Sequence, residues 1–195
     1  PQTGAEWGVV TGLAMTGIFI YALCFFYGLK QITAGRGALV VALTPVLVAL
    51  GAWFMGQEKM TPLKLAGIVV AMIGCLTVVG NGNPLALLQG AVGMGEWLIL
   101  GCALCWTAYT FIGRQATKSL SPLAATLYAS LIGALLLGIT ALVQGGTELA
   151  DWSWRVWTSV IFLAIGGTAL AFTWFADGVK RLGASKASVF VNLVP

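Results

Sequence analysis

Histidine is absent from this 195-residue chain, and charge is scarce: ten Lys and Arg plus six Asp and Glu amount to 8% of it. Each shortage excludes something. Without histidine, the commonest general base and most zinc and iron ligand sets are ruled out. A soluble domain is about a quarter charged, so a chain with this little charge cannot hold its apolar surface in water. No acidic residue lies deep inside a long apolar run, so no carboxylate stands ready for acid–base work. Cysteine is confined to Cys24, Cys75, Cys102 and Cys105, all within apolar runs. Cys102-x-x-Cys105 has the spacing of a redox or zinc pair, but a mid-span pair with no histidine to complete it reads as packing. An enzyme is not expected, and neither a cofactor nor a metal is implied.

What the chain has in excess is hydrophobicity, 59% apolar residues with a mean hydropathy of +0.95. A helix needs roughly 20 mostly apolar residues to cross a hydrocarbon core of about 30 Å. The charge-free intervals 6–30, 36–58, 64–96, 118–148 and 155–177 meet that length, and 96–114 is slightly short but still spans. Spans are predicted at 7–29, 37–56, 61–80, 96–113, 121–143 and 156–179, with an incomplete seventh running to Pro195. The fold class is an all-α polytopic membrane protein. Trp7, Trp53, Trp97, Trp152, Trp154 and Trp157 fall at span ends, where an interfacial belt places tryptophan. The chain begins at Pro1 rather than methionine and stops within an apolar segment, so it reads as the middle of a longer protein.

The net charge of +4 lies in short loops between spans, which argues against nucleic acid as a partner. Loops 57–64, 114–118 and 180–186 hold Lys59, Lys64, Arg114, Lys118, Lys180, Arg181 and Lys186; the opposite loops hold only Lys30, Arg36 and Arg155. The positive-inside rule puts the first set in the cytoplasm.

An internal repeat organises the chain. Laid over itself without a gap so that Pro45 meets Pro195, the sequence matches at Trp7/Trp157, Leu13/Leu163, Gly17/Gly167, Phe25/Phe175, Gly28/Gly178, Lys30/Lys180 and Leu43/Leu193. Apolar segments match cheaply, but a basic turn and a mid-span proline held in register do not. The copies are an odd number of spans apart and therefore face opposite ways. Inverted repeats of this kind build alternating-access transporters, which bind substrate where the repeats meet.

Several residues stand out as candidates for a site. Pro45 and Pro195 are expected to kink their helices by removing a backbone hydrogen bond, and Thr44 is best placed to satisfy the freed carbonyl. Tyr21 and Phe25 share a helical face; the Tyr21 hydroxyl fits a cavity or an interhelical hydrogen bond equally well. Trp106 alone among the tryptophans sits deep in the membrane, with Tyr109 one turn on. Their N–H and O–H need partners in hydrocarbon, so they line a substrate path or form a helix–helix contact. Thr168 and Phe172 share a face with Phe175, beside a weak point at Gly166-Gly167. Asn192 is costly at its depth unless paired. Gly4, Gly8 and Gly12 at every fourth position form a ridge suited to close helix approach, and Gly67 and Gly74 a second packing face. Asp177 is expected to pair with Lys180 or Arg181.

Leu43-Thr44-Pro45, Gly56-Gln57-Glu58-Lys59-Met60-Thr61, Glu96, Trp106-x-x-Tyr109 and Arg114 occur in one order with Gly167-Thr168-Ala169-Leu170-Ala171-Phe172 and Arg181-Leu182-Gly183-Ala184-Ser185-Lys186-Ala187. In that combination the chain resembles an EamA-type member of the drug/metabolite transporter superfamily, over nearly its whole length. The resemblance implies a ten-helix fold of two inverted five-helix repeats. Residues 1–81 are then the last three helices of the first repeat, 82–95 the loop between repeats, and 96–195 the first three helices and the start of the fourth of the second. It implies a bacterial inner-membrane transporter of small metabolites, amino acids or drug-like compounds, working as an exporter by alternating access. A passive channel and a non-transporting scaffold are the other readings. The implied partners are a small-molecule substrate and membrane lipid; protons as coupling ion and a homodimer stay open.

Overall fold

The computed structural model describes residues 1, 3–79, 93–145 and 153–193. In chain order the helices are α1 (Gly4–Leu29), α2 (Ala34–Phe54), α3 (Pro62–Val79), α4 (Met94–Ala116), α5 (Pro122–Val143), α6 (Trp154–Leu182) and α7 (Ala184–Ser188), the last continued by a 3-10 turn, Val189–Leu193. No strand occurs among the described residues. All but α3 and α7 are long and apolar enough to cross a membrane. Helix α3 is shorter, and its 18 residues reach about 27 Å at 1.5 Å per residue.

The starts follow local chemistry. Thr3 caps α1, its side chain accepting from the Glu6 N–H while the Glu6 carboxylate accepts from the Thr3 N–H, which satisfies two of the donors a helix start leaves open. Ser121 does the same for α5 by accepting from the Ala124 N–H, with Pro122 in the first turn, where its missing N–H costs nothing.

Helix α4 is the hub, packing against α1, α2, α5, α6 and α7. Small residues permit the close crossings that hold helices together in lipid. At Gly28 and Gly95 the α1 and α4 backbones approach so closely that a Cβ on either would stand 3.3 Å from the other's carbonyl oxygen. Along α5, Ala125, Ala129 and Gly133 are buried, while Leu123, Leu127, Leu131 and Leu135 face outward, as a peripheral span requires.

Two sequence expectations have no counterpart among the described residues. Of the ridge Gly4, Gly8 and Gly12, only at Gly12 would an added Cβ come near a described residue of another helix, 3.5 Å from Ile112 of α4; the closest approaches along α1 are at Gly17 and Gly28. Nor do Gly67 and Gly74 of α3 face any described residue. Spacing showed that these glycines share faces, but an apolar helix carries no signal of which face meets protein. The four cysteines are free, with Cys75 and Cys102 buried in a cluster with Val40 and Ile99.

Candidate functional site

The site begins at a break in α2. Its first half, Ala34–Val41, and second half, Thr44–Phe54, are separated by a turn at Ala42 and Leu43. Pro45 lies in the first turn of the second half. It has no N–H for the carbonyl four residues back, that of Val41, so the helix opens ahead of the proline rather than at it. The Thr44 hydroxyl donates to that same Val41 oxygen at 2.5 Å. Thr44 is fully buried, so the bond satisfies a carbonyl that would otherwise be unpaired inside the protein.

Opposite the break stands Trp106 of α4. Its ring lies 5.7 Å from Tyr21 of α1, 5.3 Å from Tyr109, and 5.2 Å from both Phe172 and Phe175 of α6, measured between centroids. Tyr21 stacks on Phe25 at 5.9 Å. These tilted and edge-on contacts suit aromatic quadrupoles. Between the break and the rings is a cavity of about 520 Å³, bordered by all of α1, α2, α4, α6 and α7 and by the turn after α7. The Trp106 indole N–H is buried and has no hydrogen-bond partner among the described residues. Leaving such a donor unpaired costs about 1–3 kcal/mol.

Tyr21, Thr44, Trp106 and Phe172 thus line one cavity. Phe25 lies behind Tyr21 rather than on the lining, and Tyr109 backs Trp106 and Phe172, 4% exposed. Thr168 is half-buried beside the lining residue Gly167. The backbone of Asn192 belongs to the turn Val189–Leu193, and Pro195 lies outside the described residues. Val41, Phe175, Gly178, Ala187 and Phe190 also line the cavity without having been singled out as site residues. Phe175 was legible, since it shares a face with Phe172; the others are apolar or small residues in apolar helices and carry no sequence signal.

Two stretches that the sequence register aligns depart from α-helix at matching places. Met15–Phe19 of α1 and Leu163–Leu170 of α6 are π-helical, and the repeat register superposes Gly17 on Gly167. Widened turns of this kind often mark functional positions. The α2 break likewise falls over the turn Val189–Leu193.

Polar contacts sort the loops into two ends. Arg36 pairs with Glu96 at 2.9 Å, and Gln144 donates to the Tyr27 hydroxyl at 3.1 Å. At the other end Arg114 donates to Gln57, and Lys64 pairs with Glu58 at 2.6 Å. Asp177 pairs with Arg181 at 2.8 Å, as its spacing suggested. Residues 27, 36, 96 and 144 thus lie at one end and residues 57, 58, 64 and 114 at the other, in the grouping of the charge count.

The EamA-like transporter family matches residues 1–80 and 93–195. The chain belongs to that family. Among similar proteins, the "Uncharacterized transporter YyaM" of Bacillus subtilis is 34% identical over 94% of this chain and 60% of its own length. The "Probable terminal-alkyne amino-acid exporter" of Streptantibioticus cattleyicolor is 27% identical over 92% of this chain and 59% of its own length. A "WAT1-related protein", chloroplastic, of Arabidopsis thaliana is 27% identical over 86% of this chain and 42% of its length. The chain spans about three fifths of the length of the curated bacterial relatives it matches. No solved structure matches it. Family and helices together make this EamA chain a multi-pass membrane protein of a transporter family, placed in the inner membrane in a bacterium.

Proposed function

We propose that this EamA chain carries the substrate cavity of a small-molecule exporter that works by alternating access. The observation that carries the reading is the buried Trp106 N–H, without a described partner, on a 520 Å³ cavity beside a broken span. A ligand carbonyl or carboxylate would complete that donor, and the rings of Tyr21, Phe172 and Phe175 would hold an apolar part. The volume lies within the roughly 300–1,000 Å³ of small-ligand pockets, and the name of the Streptantibioticus relative supports an amino-acid-like cargo. Residues 1–81 and 96–195 are read as parts of two inverted repeats that rock about the cavity, with Pro45 and Pro195 as flexible points. Loops 57–64, 114–118 and 180–186 are read as cytoplasmic.

A gradient-independent facilitator is the second reading, favoured by a specific observation. No carboxylate is among the described residues lining the cavity, and Glu58, Glu96 and Asp177 are each held in an ion pair. Proton coupling ordinarily needs a titratable group in the path.

The test is efflux of a mixed amino-acid and metabolite panel from proteoliposomes holding the full-length protein, with and without a proton gradient. Gradient-driven efflux of one compound class, lost in Trp106→Phe at unchanged melting temperature, supports the exporter. Efflux indifferent to the gradient supports the facilitator. Equal efflux by Trp106→Phe and the unaltered protein overturns the cavity assignment.

A further inference from the structure

A second cavity, of about 550 Å³, lies away from the first, where the end of α2 meets the end of α4. Its apolar wall is Met55, Phe111 and Ile112; its polar rim includes Gln57, Arg114 and Lys118. Arg114 and Lys118 are exposed, and neither forms an ion pair with a described carboxylate. The nearest acid in sequence to Gln57, Glu58, is already taken by Lys64 at 2.6 Å. Arg114 is held instead by the neutral side-chain oxygen of Gln57. That contact orients the guanidinium without cancelling its charge, and its remaining donors keep the fork geometry that suits phosphate. The result is a pair of cations with no described carboxylate partner over an apolar wall, at the ends of two helices long and apolar enough to cross a membrane.

We infer that this cavity binds the headgroup of an anionic phospholipid. The phosphate sits between Arg114 and Lys118, and the glycerol and first acyl carbons lie on Phe111, Ile112 and Met55. A free phosphate would use the two cations but not the apolar wall, and a zwitterionic lipid would use the wall but bring its own cation to the rim. The anionic lipid matches both. Basic pockets between helices on a cytoplasmic face are suited to such headgroups. The inference is independent of the cargo, because the two cavities share no lining residue.

The experiment is native mass spectrometry of the full-length protein titrated with palmitoyl-oleoyl phosphatidylglycerol, with the phosphatidylcholine of the same chains, and with inorganic phosphate as competitor. Arg114→Gln and Lys118→Gln are each expected to weaken phosphatidylglycerol binding about fivefold, from roughly 1 kcal/mol per basic residue at an anionic surface. Lys180→Gln and Arg181→Gln remove equal charge elsewhere at the same end and should leave it unchanged. Gln57→Ala, which frees Arg114, should weaken it less than Arg114→Gln does. Equal losses in all four charge variants would mean only a diffuse basic surface and would overturn the site. Equal binding of the two lipids, or displacement of phosphatidylglycerol by equimolar phosphate, would also overturn it.

Discussion

At Met15–Phe19 the widened turn of α1 is closed by a ring: a Cβ on Gly17 would stand 2.3 Å from Cδ2 of Tyr109. In the corresponding turn of α6, Leu163–Leu170, a Cβ on Gly167 would meet only Leu163 of its own helix, at 3.6 Å, and Gly167 borders the cavity. Among the described residues the turn of α1 is filled by a side chain from another helix and that of α6 is not. The filling side chain is an aromatic ring of α4, the helix that α1 and α6 both pack against. The difference teaches how a repeated architecture acquires an asymmetric site. On the reading of α1 and α6 as copies of one repeat, the backbone device is shared and the Tyr109 ring is the described side chain that sets the two turns apart.

Tyr109 is where that comparison is easiest to break. Tyr109→Ala empties the contact with Gly17 and withdraws support from Trp106 and Phe172. The expected loss is about 3–5 kcal/mol, as for other large-to-alanine changes at buried rings, read as a fall in detergent melting temperature. Gly17→Val drives a side chain into the same ring and should cost about 2 kcal/mol through overpacking. Combined, the two changes should cost clearly less than their sum, because the alanine opens the space the valine needs; strict additivity would show that the ring and the turn are not coupled.

Thr44→Val removes the hydroxyl that satisfies the Val41 carbonyl at the α2 break and should cost about 1–2 kcal/mol. Thr44→Ser keeps the hydroxyl, and near-normal stability is expected; if serine were as damaging as valine, packing rather than the hydrogen bond would hold the break. Gly167→Ala is expected to change stability by less than about 0.5 kcal/mol, since a Cβ there meets only ordinary contact. A melting temperature as low for Gly167→Ala as for Gly17→Val would erase the contrast between the two turns.

The spans were legible because lipid imposes a length and tolerates few charges, so charge-free intervals located α1, α2, α4, α5 and α6 almost directly. The break in α2 was legible too, since a proline leaves one carbonyl without its donor and Thr44 was the hydroxyl at hand. Packing faces were not. In water, polar residues mark the outside of a helix; in lipid Leu131 faces outward and Leu13 is buried, with no chemical difference between them. For the same reason Val41, Ala187 and Phe190 gave no sign of lining a cavity. The pairing of Arg36 with Glu96, 60 residues on, was equally hidden, because charges at span ends reveal the sidedness of loops and not which ends meet.

The most direct test fills the open turn. Gly167→Leu places an apolar side chain at the border of the 520 Å³ cavity while leaving the plugged turn of α1 untouched. Efflux from proteoliposomes holding the full-length variant should be lost at a melting temperature close to that of the unaltered protein. Full efflux with leucine at position 167 would contradict the claim that this cavity is the substrate path.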